Sequence, residues 1–191
     1  NLILGILILG TSLLFAQRPV NYDSPEYEYN LAVELLQKEK YGSAQQYFKY
    51  VYEHTHDKQQ DIKSNSYFYM GICAAQLYNE DAIFLLKDFI RHYPVHSYVP
   101  EAYYHLGKFY FYKRQYKKVL DSFLQIDERN VRPTEMAEYR FKLGYSYFAT
   151  GDSYEAKYHL NQARLEEGEY QLRAIYYLAH IAYEEQNYEP A

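Results

Sequence analysis

Small residues return along this chain at nearly even intervals, each inside a stretch of helical apolar spacing. They are Ala32, Gly71, Gly107, Gly144 and Ala179, separated by 39, 36, 37 and 35 residues. A glycine inside a helix costs about 0.5–1 kcal/mol relative to alanine, so its use there is to let a second helix come close. The stretch 101–127, EAYYHLGKFYFYKRQYKKVLDSFLQID, shows the unit most clearly. Tyr103, Leu106, Gly107 and Tyr110 fall at i, i+3, i+4 and i+7, on one face of a helix with 3.6 residues per turn. Val119, Phe123 and Ile126 do the same in its second half, and Arg114 and Gln115 between them suit a tight polar turn. The two apolar faces therefore fold back on each other as a helical hairpin. Such a hairpin cannot bury both of its faces alone, which predicts further copies.

The copies are present. The stretches 67–94 and 139–163 carry the same order of large, small, aromatic, then small and large residues, and the later small or β-branched partners are Ala44, Ala82, Val119, Ala156 and Ala191. This order resembles the tetratricopeptide repeat (TPR), a helix–turn–helix unit of roughly 34 residues with a Leu-Gly pair, then Tyr, then Ala, Phe and often Pro. Met70-Gly71, Leu106-Gly107 and Leu143-Gly144 match the pair, Tyr110 and Tyr147 the next aromatic, Phe48 and Phe123 the late Phe, and Pro94 the terminal Pro. Tyr67 and Tyr103 stand where that family prefers Trp, which this chain lacks. The resemblance implies an all-α, TPR-like α-solenoid of about four and a half repeats. Its units are expected near residues 25–57, 64–95, 100–130, 134–167 and, truncated, 170–191.

Leu2 to Ala16 is uncharged and almost wholly apolar, too short for a membrane span of about 20 residues, and ends in small residues. Residues 1–16 therefore read as a partial secretory signal peptide, followed by a polar linker at 17–23 and the solenoid at 24–191. An uncleaved membrane anchor is the rival reading, and the only membrane association expected is through this segment. Export to the periplasm or cell envelope of a Gram-negative bacterium is the expectation. The first repeat adds to it, because it resembles the opening repeat of large exported TPR proteins from such bacteria. Ser24-Pro25-Glu26 reads as a helix start, with a hydroxyl cap, proline at the first position and an acid at the positive end of the dipole. Asn79 and Asp152 read as caps of second helices, the latter in a capping-box-like pair with Glu155. The fifth repeat ends where its second helix should begin, which predicts either continuation with further sequence or docking of this edge onto a second copy.

The net charge of −5 argues against a nucleic-acid surface. Phosphate-loop, nucleophile-elbow and HExxH patterns are absent from the sequence, so no catalysis and no cofactor are expected. His54-Thr55-His56 could be half of a metal site, but no acid or cysteine cluster completes it, and 54–65 reads as a polar loop. Cys73, beside Gly71 and Ala74, reads as a buried structural thiol.

The TPR resemblance places function on the inner curved surface made by the first helix of each repeat. The residues directly after the first packing positions, Tyr29, Phe68, Tyr104, Phe141 and Tyr176, point about 100° from the core stripe, toward that surface. One turn on lie Val33, Ile72, Lys108, Tyr145 and His180, and then Tyr112 or Phe111, Phe148 and Tyr183. This ladder of rings suits an extended or helical segment of a partner protein, although the same rings could instead pack between repeats. Some proteins of the TPR family hold the acidic C-terminal peptide of a heat-shock chaperone in a clamp of Lys and Asn. Lys108 is the sole cation at the matching rung here, so that clamp is not carried over. The expectation is a non-catalytic protein-interaction scaffold. Its alternative is the extracytoplasmic input region of a membrane signalling protein.

Overall fold

The structure, a computed structural model, describes residues 24–56 and 59–185. The signal segment 1–16, the linker 17–23 and Ala191 lie outside the described residues. Regular structure among the described residues is entirely helical: α1 (Pro25–Gln37), α2 (Tyr41–His54), α3 (Gln60–Gln76), α4 (Asp81–His92), α5 (Val99–Tyr112), α6 (Tyr116–Phe123), α7 (Met136–Thr150), α8 (Ser153–Ala163) and α9 (Glu169–Glu184), with two 3-10 turns between α6 and α7.

One turn chemistry is used four times. At the ends of α1, α3, α5 and α7 a residue takes a left-handed backbone, with φ of 57° at Glu39, 56° at Tyr78, 56° at Arg114 and 89° at Gly151. Each donates its N–H three residues back, and the next residue donates five back, as in Arg114 N to Phe111 O and Gln115 N to Tyr110 O at 2.9 Å. This is the Schellman closure that satisfies the last carbonyls of a helix. Glycine takes that backbone freely at position 151, whereas the other three side chains hold it at a cost of about 1–2 kcal/mol each.

The recurring glycines sit where the two helices of a hairpin touch. A Cβ at Gly71 would lie 2.8 Å from Leu86 Cδ2, one at Gly144 2.9 Å from both Leu160 Cγ and Leu160 N, and one at Gly107 would collide with the Phe123 ring. Ala44, Ala82, Val119 and Ala156, the small or β-branched positions of the second helices, are fully buried. Phe48, Phe68, Phe89 and Phe123 fill the layer between hairpins, each fully buried and worth about 1.5–3 kcal/mol of transfer free energy. The odd-numbered helices lie side by side, α1 on α3, α3 on α5, α5 on α7 and α7 on α9, and each packs on the even helices that flank it. They form an inner layer and the even helices an outer one.

Local expectations and structure differ at three places. Asn79 does not cap α4 with its side chain; its carbonyl accepts from Ala82 N, because the residue is already committed to the turn closure with Ala74. Residues 60–65 are helical where their polarity suggests a loop. α3 begins at Gln60 with Asp61 in its first turn, and Ser64 is buried against His96 at 3.1 Å. α6 stops at Phe123, and Ile126 reaches the core from a turn instead, because the Asp127 side chain accepts from Arg129 N and starts the 3-10 segment. Ser24 and Asp152 accept from Tyr27 N and Glu155 N, as their positions predict. Cys73 is buried, which pushes its thiol up to about 12. His54 closes α2 and stacks on Tyr50, and His56 is exposed.

Candidate partner-binding groove

An open cavity of about 1020 Å³ runs along the common face of α5, α7 and α9 and is closed at one end by the α3–α4 turn. Its floor is aromatic. Tyr145 stands edge-on to Phe111 at 5.4 Å, to Tyr116 at 5.3 Å and to Tyr177 at 4.7 Å. Phe141 lies 5.4 Å from Tyr170, and Tyr78 packs on Tyr112 at 4.4 Å across the end of the groove. Two of the three left-handed side chains, Tyr78 and Arg114, are on this wall. The turn conformation directs them inward.

Polar groups converge between the rings. Glu138, on the first turn of α7, receives Lys142 Nζ at 2.7 Å from one turn along and Lys108 Nζ at 3.0 Å from α5. The buried Tyr104 hydroxyl donates to the same carboxylate at 2.9 Å. Burial alone would raise the Glu138 carboxyl, but the two ammoniums override it and hold it down to about 2. Burial lowers Lys142, with Glu138 opposing, and pushes the imidazole of His105 down to about 3, so that His105 is neutral in the wall. Lys142 lies over the Phe111 ring at 5.0 Å and Arg173 over Tyr170 at 5.7 Å. The lining thus gathers four cations, Lys108, Arg114, Lys142 and Arg173, against one carboxylate, Glu138.

The residues predicted for the groove fall into four groups. Lys108, Tyr112, Phe141, Tyr145 and Tyr176 line this cavity. Phe68 and Tyr104 do not: both are buried, Phe68 stacked on Tyr98 at 4.6 Å and Tyr104 parallel to Phe123 at 5.9 Å. An inner helix is flanked by two outer helices as well as by its inner neighbours, so a position about 100° from the core stripe is still covered from the next hairpin. Phe141 is nearly buried for the same reason and contributes wall rather than contact area. Tyr29 packs edge-on against Phe48 at 5.8 Å, remote from the cavity. His180 and Tyr183 are exposed on α9 outside the lining, with His180 near Glu184 at 3.5 Å.

Sequence reasoning missed Glu138, Lys142, Arg114 and Arg173. The i, i+4 spacing of Glu138 and Lys142 was visible and could have marked them as a pair. The inward turn of Arg114 depends on a left-handed backbone that a non-glycine residue does not announce.

The fold is a TPR-like α-solenoid, and solved structures of that class resemble it. A double mutant of MamA RS-1 is similar with a TM-score of 0.67 at 18% identity, covering 86% of each chain. A MamA chain from Desulfovibrio magneticus RS-1 gives 0.65 at 20% identity, covering 86% of this chain and 87% of that one. NprR in complex with its cognate peptide NprX gives 0.54 at 16% identity, over 87% of this chain and 53% of NprR. No family model matches the sequence, and no curated protein is significantly similar to it.

Proposed function

We propose that the chain is a non-catalytic protein-interaction scaffold that holds a partner segment in the aromatic groove of α5, α7 and α9. The observation that carries this reading is the groove itself, a preformed channel with rings on its floor and fixed charges between them. A rigid surface of this kind binds without first having to order itself, and tyrosine supplies contact area at low entropy cost. The solved NprR structure, a peptide complex on a similar fold, is consistent with it. Lys108, Tyr112, Tyr145 and Tyr176 are the proposed contact residues. Tyr183 and His180 extend the same face along α9. The apolar run Leu2–Ala16 supports export to the bacterial cell envelope as the place of action.

The double variant Tyr112→Ala with Tyr145→Ala tests it. Quantitative co-purification from the native cells should lose a discrete set of proteins several-fold while helicity is retained. Unchanged co-purification by a folded double variant would rule out the groove as the binding surface.

A further inference from the structure

The protein is acidic overall, yet the lining of its groove is basic. The net charge is −5 for the chain, whereas the lining carries four cations and one carboxylate. Lys108 and Lys142 share Glu138, so one ammonium charge of that trio is left unbalanced, and the side chain of Lys142 is only 14% exposed. An ammonium offers three donors, and each of these two has one contact with the Glu138 carboxylate. Glu169, which approaches Arg173 at 3.8 Å from the same helix, sits outside the lining. The hydroxyl of Tyr116 is pushed up to about 12 by burial and its hydrogen bond with Tyr145, so it stays neutral and adds no negative charge to the lining.

Resting on the proposed scaffold reading, we infer that the groove takes an acidic, aromatic-bearing internal segment of a partner protein, its side-chain carboxylates meeting Lys108 and Lys142. Its rings stack on the tyrosine floor, and Glu138 acts as a resident carboxylate that weakens the site for anions. Charge complementarity selects this occupant. A basic segment would bring like charge against Lys142 in a half-closed channel, where screening by salt is reduced. A neutral one would leave the shared ammonium unanswered. The ligand's chain end is not needed, because Lys108 and Lys142 stand within α5 and α7 and not at the closed end of the groove.

The probe is a fluorescein-labelled random copolymer of Glu and Tyr with an amidated end, read by anisotropy on the full 191-residue chain. The comparisons are a Lys–Tyr copolymer and a single-stranded oligonucleotide of similar length. The Glu–Tyr copolymer should bind at least tenfold more tightly than the Lys–Tyr one and weaken as salt rises. Lys142→Glu should cost at least tenfold, and Glu138→Gln should tighten binding several-fold while the variant stays helical, at a thermal midpoint lowered by the loss of the carboxylate. Preference for the Lys–Tyr copolymer, or equal binding by Lys142→Glu, would overturn the inference. If Tyr112→Ala with Tyr145→Ala still weakens both copolymers, the groove stands and only its charge preference falls. If it weakens neither, the scaffold reading falls with it. Tighter binding of the oligonucleotide than of either copolymer would assign the basic wall to nucleic acid and overturn the choice of a protein ligand.

Discussion

The first two hairpins and the last three helices of the inner layer are both rich in rings, but they use them in different ways. In α1 and α3 the rings close on one another: Tyr29 meets Phe48, Phe48 stacks on Tyr69 at 5.1 Å, and Phe68 stacks on Tyr98, with a Tyr69 to Tyr98 hydroxyl bond at 3.1 Å. In α5, α7 and α9 the rings also touch, Tyr145 meeting Tyr177 at 4.7 Å, but they do so along the wall of an open groove. The difference lies one turn along the inner face. There the first hairpins carry Val33 and Ile72, which pack down, while the later ones carry Lys108 and Tyr145, followed by His180. Ile72 is buried, whereas Lys108 keeps its ammonium in the groove against Glu138. A charged group held in the wall cannot be sealed into an apolar layer without a large desolvation cost, so the channel stays open. Aromatic content alone does not open a channel; charges between the rings do.

The largest expected effect comes from the closed half. Phe68→Ala should destabilise the fold by about 3–5 kcal/mol in denaturant unfolding, because the ring is fully buried. A loss as small as that of an exposed tyrosine would erase the contrast between the halves. Gly107→Leu, at the boundary between them, should cost about 1–3 kcal/mol, since even a Cβ would strike the Phe123 ring. An unchanged thermal midpoint would mean that the hairpin is packed in a different register.

Acid should act on the open half. Glu138 is held near 2 in the fold against an ordinary value of 4.5, so its contribution is full above about pH 4.5 and is lost as pH falls through 2. Stability of the native chain should drop in that window by about 2 kcal/mol more than that of Glu138→Gln. His105, depressed to about 3, adds a decline between about pH 6.5 and 3 that both forms share. Parallel curves for the two proteins would dissociate Glu138 from its lysines. Gly151→Ala should cost about 1 kcal/mol, because alanine must hold a φ of 89°. Smallest of all is Tyr112→Ala, more than half exposed, which should change stability by less than about 0.5 kcal/mol.

The hairpin spacing was legible because a glycine facing Leu86, Phe123 or Leu160 leaves a trace in the sequence that polar loops do not blur. Ring positions one step off the core stripe were harder. Phe68 and Tyr112 look alike as residues, and only the packing of neighbouring hairpins decides that one is buried and the other exposed. The charged wall was less legible still, since Lys108, Lys142 and Arg173 come from three helices and meet only after the repeats stack.

Photo-crosslinking in the native cells tests the central claim most directly, with a reactive aromatic at Tyr112 in the groove and a control at Tyr154, exposed on the outer layer at α8. The account predicts a discrete partner protein trapped from Tyr112 and not from Tyr154. The same products from both positions, or none from Tyr112 in a folded protein, would contradict it.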